Sequence, residues 1–273
     1  MSKNKLKTRT ITGLLYGIVF ISSLVLGELS SSLFFLTTML IALKEFYALV
    51  TDEKTKPQVY LGMLISLGLF ISSFLYFKNF ELSKISFAIS SFLLLLVFIS
   101  ELFRKENVSY NNIALTLMGV MYVSIPMSLT FFLSYNDAKQ YEYQFLLSVF
   151  ILIWMSDIGG YFAGVNFGKH KLFERISPKK SWEGVIGGFV LAVISSIVLS
   201  RFFTNLDLTE WVVLGILICI SSVIGDLIES MIKRTANVKD SGTILPGHGG
   251  ILDRFDSALL VIPVVYIYII LIS

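Results

Sequence analysis

Four aspartates in the second half of this chain stand in surroundings that give them little reason to be there unless they do chemistry. Asp226 sits in S-S-V-I-G-D-L-I-E-S-M-I-K-R, inside an otherwise apolar stretch. On a helix, Asp226, Ser230, Lys233 and Arg234 share one face, and Glu229 borders it. An amphipathic exit helix accounts for Glu229, Lys233 and Arg234, but not for a carboxylate four residues before Ser230. Asp253 and Asp256, in D-R-F-D, are three apart and share a helical face as well. Helix N-capping explains one of them, not both. With Asp226 brought alongside, they could hold a divalent cation, because Mg2+ takes one or two protein carboxylates and fills its shell with phosphate oxygens and water. There is no Cys/His cluster, so zinc is not expected. Asp157, late in an apolar run in W-M-S-D-I-G-G-Y-F-A-G, costs about 3 kcal/mol in lipid unless it is paired or wet. Either it faces an active cavity or it is already solvated at the interface.

Asp253 and Asp256 belong to a polar segment, Ser230–Asp256, that also carries Lys233, Arg234, Lys239, Asp240 and Arg254 between two strongly apolar runs. Within it, P-G-H-G-G is a turn whose backbone N–H groups at Gly249 and Gly250 can approach an anion. His248 could donate to a phosphate or act as an acid or base. Such a segment suits a nucleoside triphosphate and a metal at a membrane surface. Upstream, I-S-P-K-K-S-W-E-G places a turn at Ser177-Pro178 and two cations, Lys179 and Lys180, just before a helix that Ser181 could cap. Gly184 stands three residues on, where a capping box needs Glu or Gln. The lysine pair suits a phosphate at a helix N-terminus, and equally suits a positively charged cytoplasmic flank. Gly160, Gly164 and Gly168 recur every four residues, the stripe that lets helices pack closely. G-V-N-F-G-K-H is not a P-loop: it is one residue short between its glycines, and His170 stands where Ser or Thr should be.

The rest of the chain must hold these groups at the membrane. Hydrophobic residues make up 55% of the 273 and charged residues 15%, far from a soluble composition. Apolar runs at about 11–27, 29–50, 59–77, 82–103, 113–133, 143–165, 184–203, 211–232 and 255–272 predict an all-α, polytopic integral membrane protein with about nine transmembrane helices. Lys44-Glu45-Phe46-Tyr47 gives the second run an amphipathic end, expected at the interface. Pro126 and Pro263 are candidate kinks. With a cytoplasmic N-terminus, 18 of the 22 Lys and Arg residues fall on the cytoplasmic side. Both long polar loops, 166–183 and 229–256, fall there too, which makes the sequon at Asn107 a coincidence. The first five runs carry almost no intramembrane charge. The expectation is a single membrane domain, 1–273, with a helical scaffold portion over 1–140 and a catalytic portion over 141–273. Cys219, the one cysteine, reads as a small buried hydrophobe. No cleavable signal peptide is expected, and a net charge of +3 gives no general attraction to nucleic acid.

The order S-x-I-K-R-x4-K-D-x-G-x2-L-P-x-H-G-G-I-x-D-R-F-D, from Ser230 to Asp256, resembles the signature of the phosphatidate cytidylyltransferase (CDP-diacylglycerol synthase) family. The S-D-x-x-G-Y element at Ser156–Tyr161 and the I-S-P-K-K-S-W-E-G element are similar to that family as well. The resemblance implies that CTP and phosphatidate become CDP-diacylglycerol and pyrophosphate with Mg2+, and it leaves room for a second cation and for a homo-oligomer. It implies Asp226 and Asp253 as metal ligands and Asp256 as a ligand or its neighbour. Lys233, Arg234, Lys239 and Arg254 would steady the triphosphate and the lipid phosphate. The Lys and Arg split puts the site on the cytoplasmic side, where CTP arrives from water and the lipid from the bilayer, and a compact chain without an organelle-targeting extension suggests a bacterial plasma membrane. Two other readings compete. An ion-coupled transporter using Asp157 and Asp226 calls for symmetric halves, and the chain has no internal repeat. Another CTP-dependent lipid transferase or lipid kinase fits the same polar residues, since an acyl-chain pocket is not written in the sequence; the D-G-x2-A-R pattern of CDP-alcohol phosphotransferases is absent.

Overall fold

Apolar runs of this length must satisfy their backbone polar groups internally, and helices do so. The computed structural model describes the backbone over residues 3–203, 205–244 and 249–272, with side chains from residue 12 onward. Among the described residues, eight helical segments are long and apolar enough to cross a membrane, and a ninth apolar helix, Thr12–Val25, is shorter. The all-α, polytopic reading holds, and eight of the expected nine spans meet a spanning length. The chain sorts into two compact units: Met1–Tyr141 with Ala236–Arg254, and Glu142–Thr235 with Phe255–Ser273. The polar segment Ala236–Arg254 sorts with the first unit.

The first unit contains α1 (Lys3–Val25), α2 (Glu28–Val50), α3 (Val59–Lys78), α4 (Phe80–Leu102), α5 (Tyr110–Gly119) and α6 (Ile125–Leu129). Gly27, at φ 115°, makes the tight turn between α1 and α2. The next turn is closed by Asp52, whose Oδ1 accepts from the backbone N–H groups of Lys54 (2.8 Å) and Thr55 (2.6 Å). Those two donors hold its carboxyl below the usual carboxylate range. Asn79 and Ser109 cap α4 and α5 through their side chains. Between α5 and α6 the helix widens into a π-turn, Val120–Ser124, where the Ile125 N–H reaches back five residues to Val120. Pro126 follows directly and supplies no N–H to the preceding turn, so the expected kink is a local change of hydrogen-bond step. The core gathers on Ile65, Val97 and Val120. Tyr47 anchors α2 by donating to the Thr116 carbonyl (2.8 Å). Gly62 and Gly119 lie so close to its ring that a Cβ on either would collide with it. In the stretch Lys44–Tyr47, Lys44 is exposed while Glu45, Phe46 and Tyr47 are buried, so the charged Glu45 lies with the apolar side rather than with Lys44.

The second unit holds α7 (Tyr143–Phe167), a hairpin of β1 (Lys171–Phe173) and β2 (Ser177–Ser181), α8 (Trp182–Leu199), α9 (Leu208–Thr235) and α11 (Ala258–Ile272); the short α10 (Leu252–Phe255) ends at its border. Helices α7 and α8 pack glycine to glycine. A Cβ on Gly159 would meet the Gly187 carbonyl at 2.5 Å, and one on Gly188 would meet the Ser156 carbonyl at 2.8 Å. Gly164 and Gly160 face Gly184 at ordinary contact distance. The glycine stripe thus does the packing its spacing suggested. The segment read as a turn before α8 is an antiparallel strand paired with β1 through a bulge, with Lys171 opposite Ser181. Its end matches expectation, since the Ser181 hydroxyl caps α8 by accepting from Gly184 N–H (3.2 Å). α9 meets the Asp256–Ala258 stretch just as tightly: a Cβ on Gly225 would lie 2.8 Å from the Asp256 carbonyl. The Ser257 hydroxyl donates to the Ser222 carbonyl at 3.3 Å.

Candidate active site

Beside these close approaches, among the described residues, lies a cavity of about 400 Å³ lined by both charged and apolar residues of the second unit. Three carboxylates line it from three parts of the chain: Asp157 on α7, Asp226 on α9, and Asp256 just before α11. β2 contributes Lys179 and Lys180, and Ser181 closes the start of α8. The wall between is made low by Gly160, Gly164, Gly184 and Gly188, and apolar by Val165, Val185 and Val223. A lining with both charged and apolar side chains suits a ligand that has both characters.

The carboxylates are held by identifiable partners. Asp226 Oδ2 lies 2.6 Å from the Lys180 ammonium, and both side chains are about a third exposed or less. Its Oδ1 accepts from the Ser230 hydroxyl at 3.2 Å, the i,i+4 neighbour the helix register put on the same face. Asp157 Oδ1 accepts from Ser222 at 3.3 Å. Asp256 Oδ1 accepts from the Ser257 backbone N–H at 2.7 Å. Lys180 also donates to the Val223 carbonyl (3.4 Å), so it bridges the hairpin and α9. Three like charges around one cavity repel unless a cation sits among them. Lys180 supplies one. Among the described residues, no group of three or more His, Cys, Asp or Glu side chains gathers as a ready-made metal cage.

Other residues expected at the site have their own settings. Lys233 pairs with the fully buried Glu229 one helical turn earlier. Arg234 Nε donates to the Ile176 carbonyl at 3.5 Å, tying the end of α9 to the hairpin. Ser177 begins β2, outside the cavity lining. In the first unit, Lys239, Asp240 and Arg254 are exposed. There Asp253 is buried, and its Oδ2 accepts from the backbone N–H groups of Ser241 (2.9 Å) and Gly250 (2.7 Å). Gly249 adopts φ 80°, a conformation glycine takes without strain. His248 lies outside the described residues, as do Leu245–Gly247.

Several contributors escaped the sequence reading. Ser222 was findable, since it precedes Asp226 by four residues and so shares its face. Glu183 accepts from the Lys169 and His170 backbone N–H groups (3.1 and 3.2 Å) and meets His170 Nδ1 at 2.6 Å, which fixes the chain entering β1. Only pairing across 13 residues reveals it.

A family model described as "Cytidylyltransferase family" matches residues 7–272. The chain is 38% identical over 272 residues to a phosphatidate cytidylyltransferase of Staphylococcus haemolyticus, covering 97% of this chain and 99% of that one. It is 35% identical to a phosphatidate cytidylyltransferase of Staphylococcus aureus, again covering 97% and 99%. It is 33% identical to one of Bacillus subtilis, covering 98% and 99%. An end-to-end match of this kind, on an integral membrane chain with a cavity lined by aspartate and lysine, makes this protein a member of the cytidylyltransferase family.

Proposed function

We propose that the chain transfers CMP from CTP to phosphatidate, giving CDP-diacylglycerol and pyrophosphate, at a site on the cytoplasmic side of a bacterial plasma membrane. The observation that carries this reading is the cavity in which Asp157, Asp226 and Asp256 meet Lys179 and Lys180 beside an apolar wall, in a chain of this family. A phosphate oxygen of the lipid forms a bond to the α-phosphorus of CTP. The bond from that phosphorus to the bridging oxygen breaks, and its electron pair leaves on pyrophosphate. No protein nucleophile is required; the protein's work is positioning and charge neutralisation.

The donor set fits magnesium. All candidate donors are hard oxygens, and magnesium needs only one or two protein carboxylates rather than a full cage. Asp226 and Asp256 are the residues we assign to it, with Asp157 close by. Bound there, the ion supplies Lewis-acid neutralisation of the triphosphate. Lys180, already on Asp226, is placed to move its charge onto a phosphate oxygen when substrate arrives. Lys179, exposed beside it, meets the more solvated phosphates. The apolar wall at Val165, Val185 and Tyr161 takes the glycerolipid side of phosphatidate.

The test is incubation of purified protein with labelled CTP and phosphatidate, with and without EDTA. Metal-dependent label in lipid is the expected result. Label on a different lipid acceptor would redirect the substrate assignment, and CTP consumption without lipid labelling would end it.

A further inference from the structure

The chain leaves α7 at Phe167 and reaches β1 after only three residues, Gly168, Lys169 and His170. Glu183, in the first turn of α8, reaches back across this connection. Its Oε2 accepts from the backbone N–H groups of Lys169 (3.1 Å) and His170 (3.2 Å), and its Oε1 meets His170 Nδ1 at 2.6 Å. Beside it, the Trp182 N–H donates to the His170 carbonyl at 2.9 Å. Lys171 then pairs with Ser181 across the hairpin. The fit is close at Gly168, where a Cβ would lie 2.8 Å from Ser181 Oγ. The far end of the hairpin is held separately, by Arg234 Nε on the Ile176 carbonyl (3.5 Å). Glu183 therefore closes the base of a hairpin whose second strand carries both cavity lysines, Lys179 and Lys180. From that strand Lys180 spans to Asp226 Oδ2 (2.6 Å) and to the Val223 carbonyl (3.4 Å). Every residue in this line of contacts belongs to the second unit. S-P-K-K-S has little tendency of its own to form a strand, being a proline, two lysines and two serines. Its extended course comes from pairing with β1, and the start of β1 is held by Glu183. A carboxylate suits that task, because it accepts several bonds at once and each is charge-assisted.

We propose that Glu183 is a positioning residue for the transfer reaction and acts through Lys180. By closing the base of the hairpin, it sets where the Lys180 ammonium stands between Asp226 and the incoming triphosphate. This rests on the functional reading above. Glu183→Gln keeps the size of the side chain but puts an amide N–H2 where backbone N–H groups need an acceptor. In the full-length protein it should lower kcat/KM for CTP about tenfold or more, the scale of a small misplacement of binding groups. The helical signal and the melting temperature should stay near wild type. Lys180→Met removes the ammonium and should itself lower kcat/KM. In that background Glu183→Gln should cost less than about twofold more, because no charge is left to misplace. A purely structural role would give the same loss in both backgrounds. The role is overturned if Glu183→Gln keeps the wild-type kcat/KM for CTP, if its loss only tracks loss of folded protein, or if the effects of Glu183→Gln and Lys180→Met multiply. Should the wild-type protein show no CMP transfer, the functional reading fails instead. Amide hydrogen exchange then decides on the hairpin alone: faster exchange across residues 169–181 in Glu183→Gln upholds the hold at its base, and unchanged exchange removes it.

Discussion

Asp226 shows how one side chain serves two conditions. Without substrate its charge is balanced by Lys180 at 2.6 Å and its other oxygen by Ser230. In the proposed reaction, Asp226 would hold the metal and Lys180 would turn to a phosphate oxygen. Asp226→Asn and Asp256→Asn should each lower CMP transfer by about a thousandfold or more, the scale seen when charge stabilisation at a reacting phosphate is lost. The helical signal by circular dichroism should stay unchanged; near wild-type turnover in either variant would remove the metal assignment. Lys233 needs a subtler test, because it faces the buried Glu229. Lys233→Ala should destabilise by about 3 kcal/mol, since breaking one side of a buried pair leaves the other charge poorly compensated. It should also raise the CTP requirement. The double change Glu229→Gln with Lys233→Met should restore the melting temperature. If it restores the CTP requirement too, Lys233 has no part in binding phosphate.

Between α7 and α8 the sequence was easy to read and the structure kept to it. The four-residue glycine stripe needs no partner sequence to suggest close packing, and Gly184 faces Gly160 and Gly164 across it; the tightest approaches, Gly159 against Gly187 and Gly188 against Ser156, lie outside the stripe. Helix length and type were equally legible, because a long apolar run in lipid has few alternatives. The Asp226–Ser230 contact followed from helical period alone. What escaped were features fixed by pairing across the chain. β2 is five residues, S-P-K-K-S, that locally resemble a loop and become a strand only opposite Lys171–Phe173. The hydrogen bond from Ser241 to Glu45 joins residues nearly 200 positions apart, so no local pattern announces it. The packing is checkable by contrast. Gly187→Ala would drive a methyl into Ala163 and the Gly159 carbonyl and should cost about 1–3 kcal/mol, read as a lower melting temperature in detergent. Gly160→Ala, whose nearest neighbour would be 3.5 Å away, should melt close to wild type. Equal effects at the two positions would mean that the interface is looser than described.

For the molecule as a whole, the distribution of Lys and Arg argues that α1 crosses the membrane although its apolar part, Thr12–Val25, is short. If it crosses, there are nine passages, and the basic arm lies on the same side as the turns at 51–58, 103–109 and 168–181 and the segment 236–251. If it only lies along the surface, the arm falls on the opposite side from all of them. The arm carries Lys3, Lys5, Lys7 and Arg9, and the positive-inside bias acts most strongly on such short flanks. The chain is suited to a direct measurement, because its one native cysteine, Cys219, is buried. In a Cys219→Ala background, single cysteines at Ser2, Glu53, Arg175 and Asn237 should react with a membrane-impermeant maleimide only after the membrane is opened. Cysteines at Lys139 and Asn205 should react in intact cells. A Ser2 cysteine that labels with Lys139 rather than with Glu53 would make α1 a surface helix. Labelling of Arg175 and Asn237 from outside would move the hairpin and the polar segment away from cytoplasmic CTP, and the proposed reaction would lose its nucleotide.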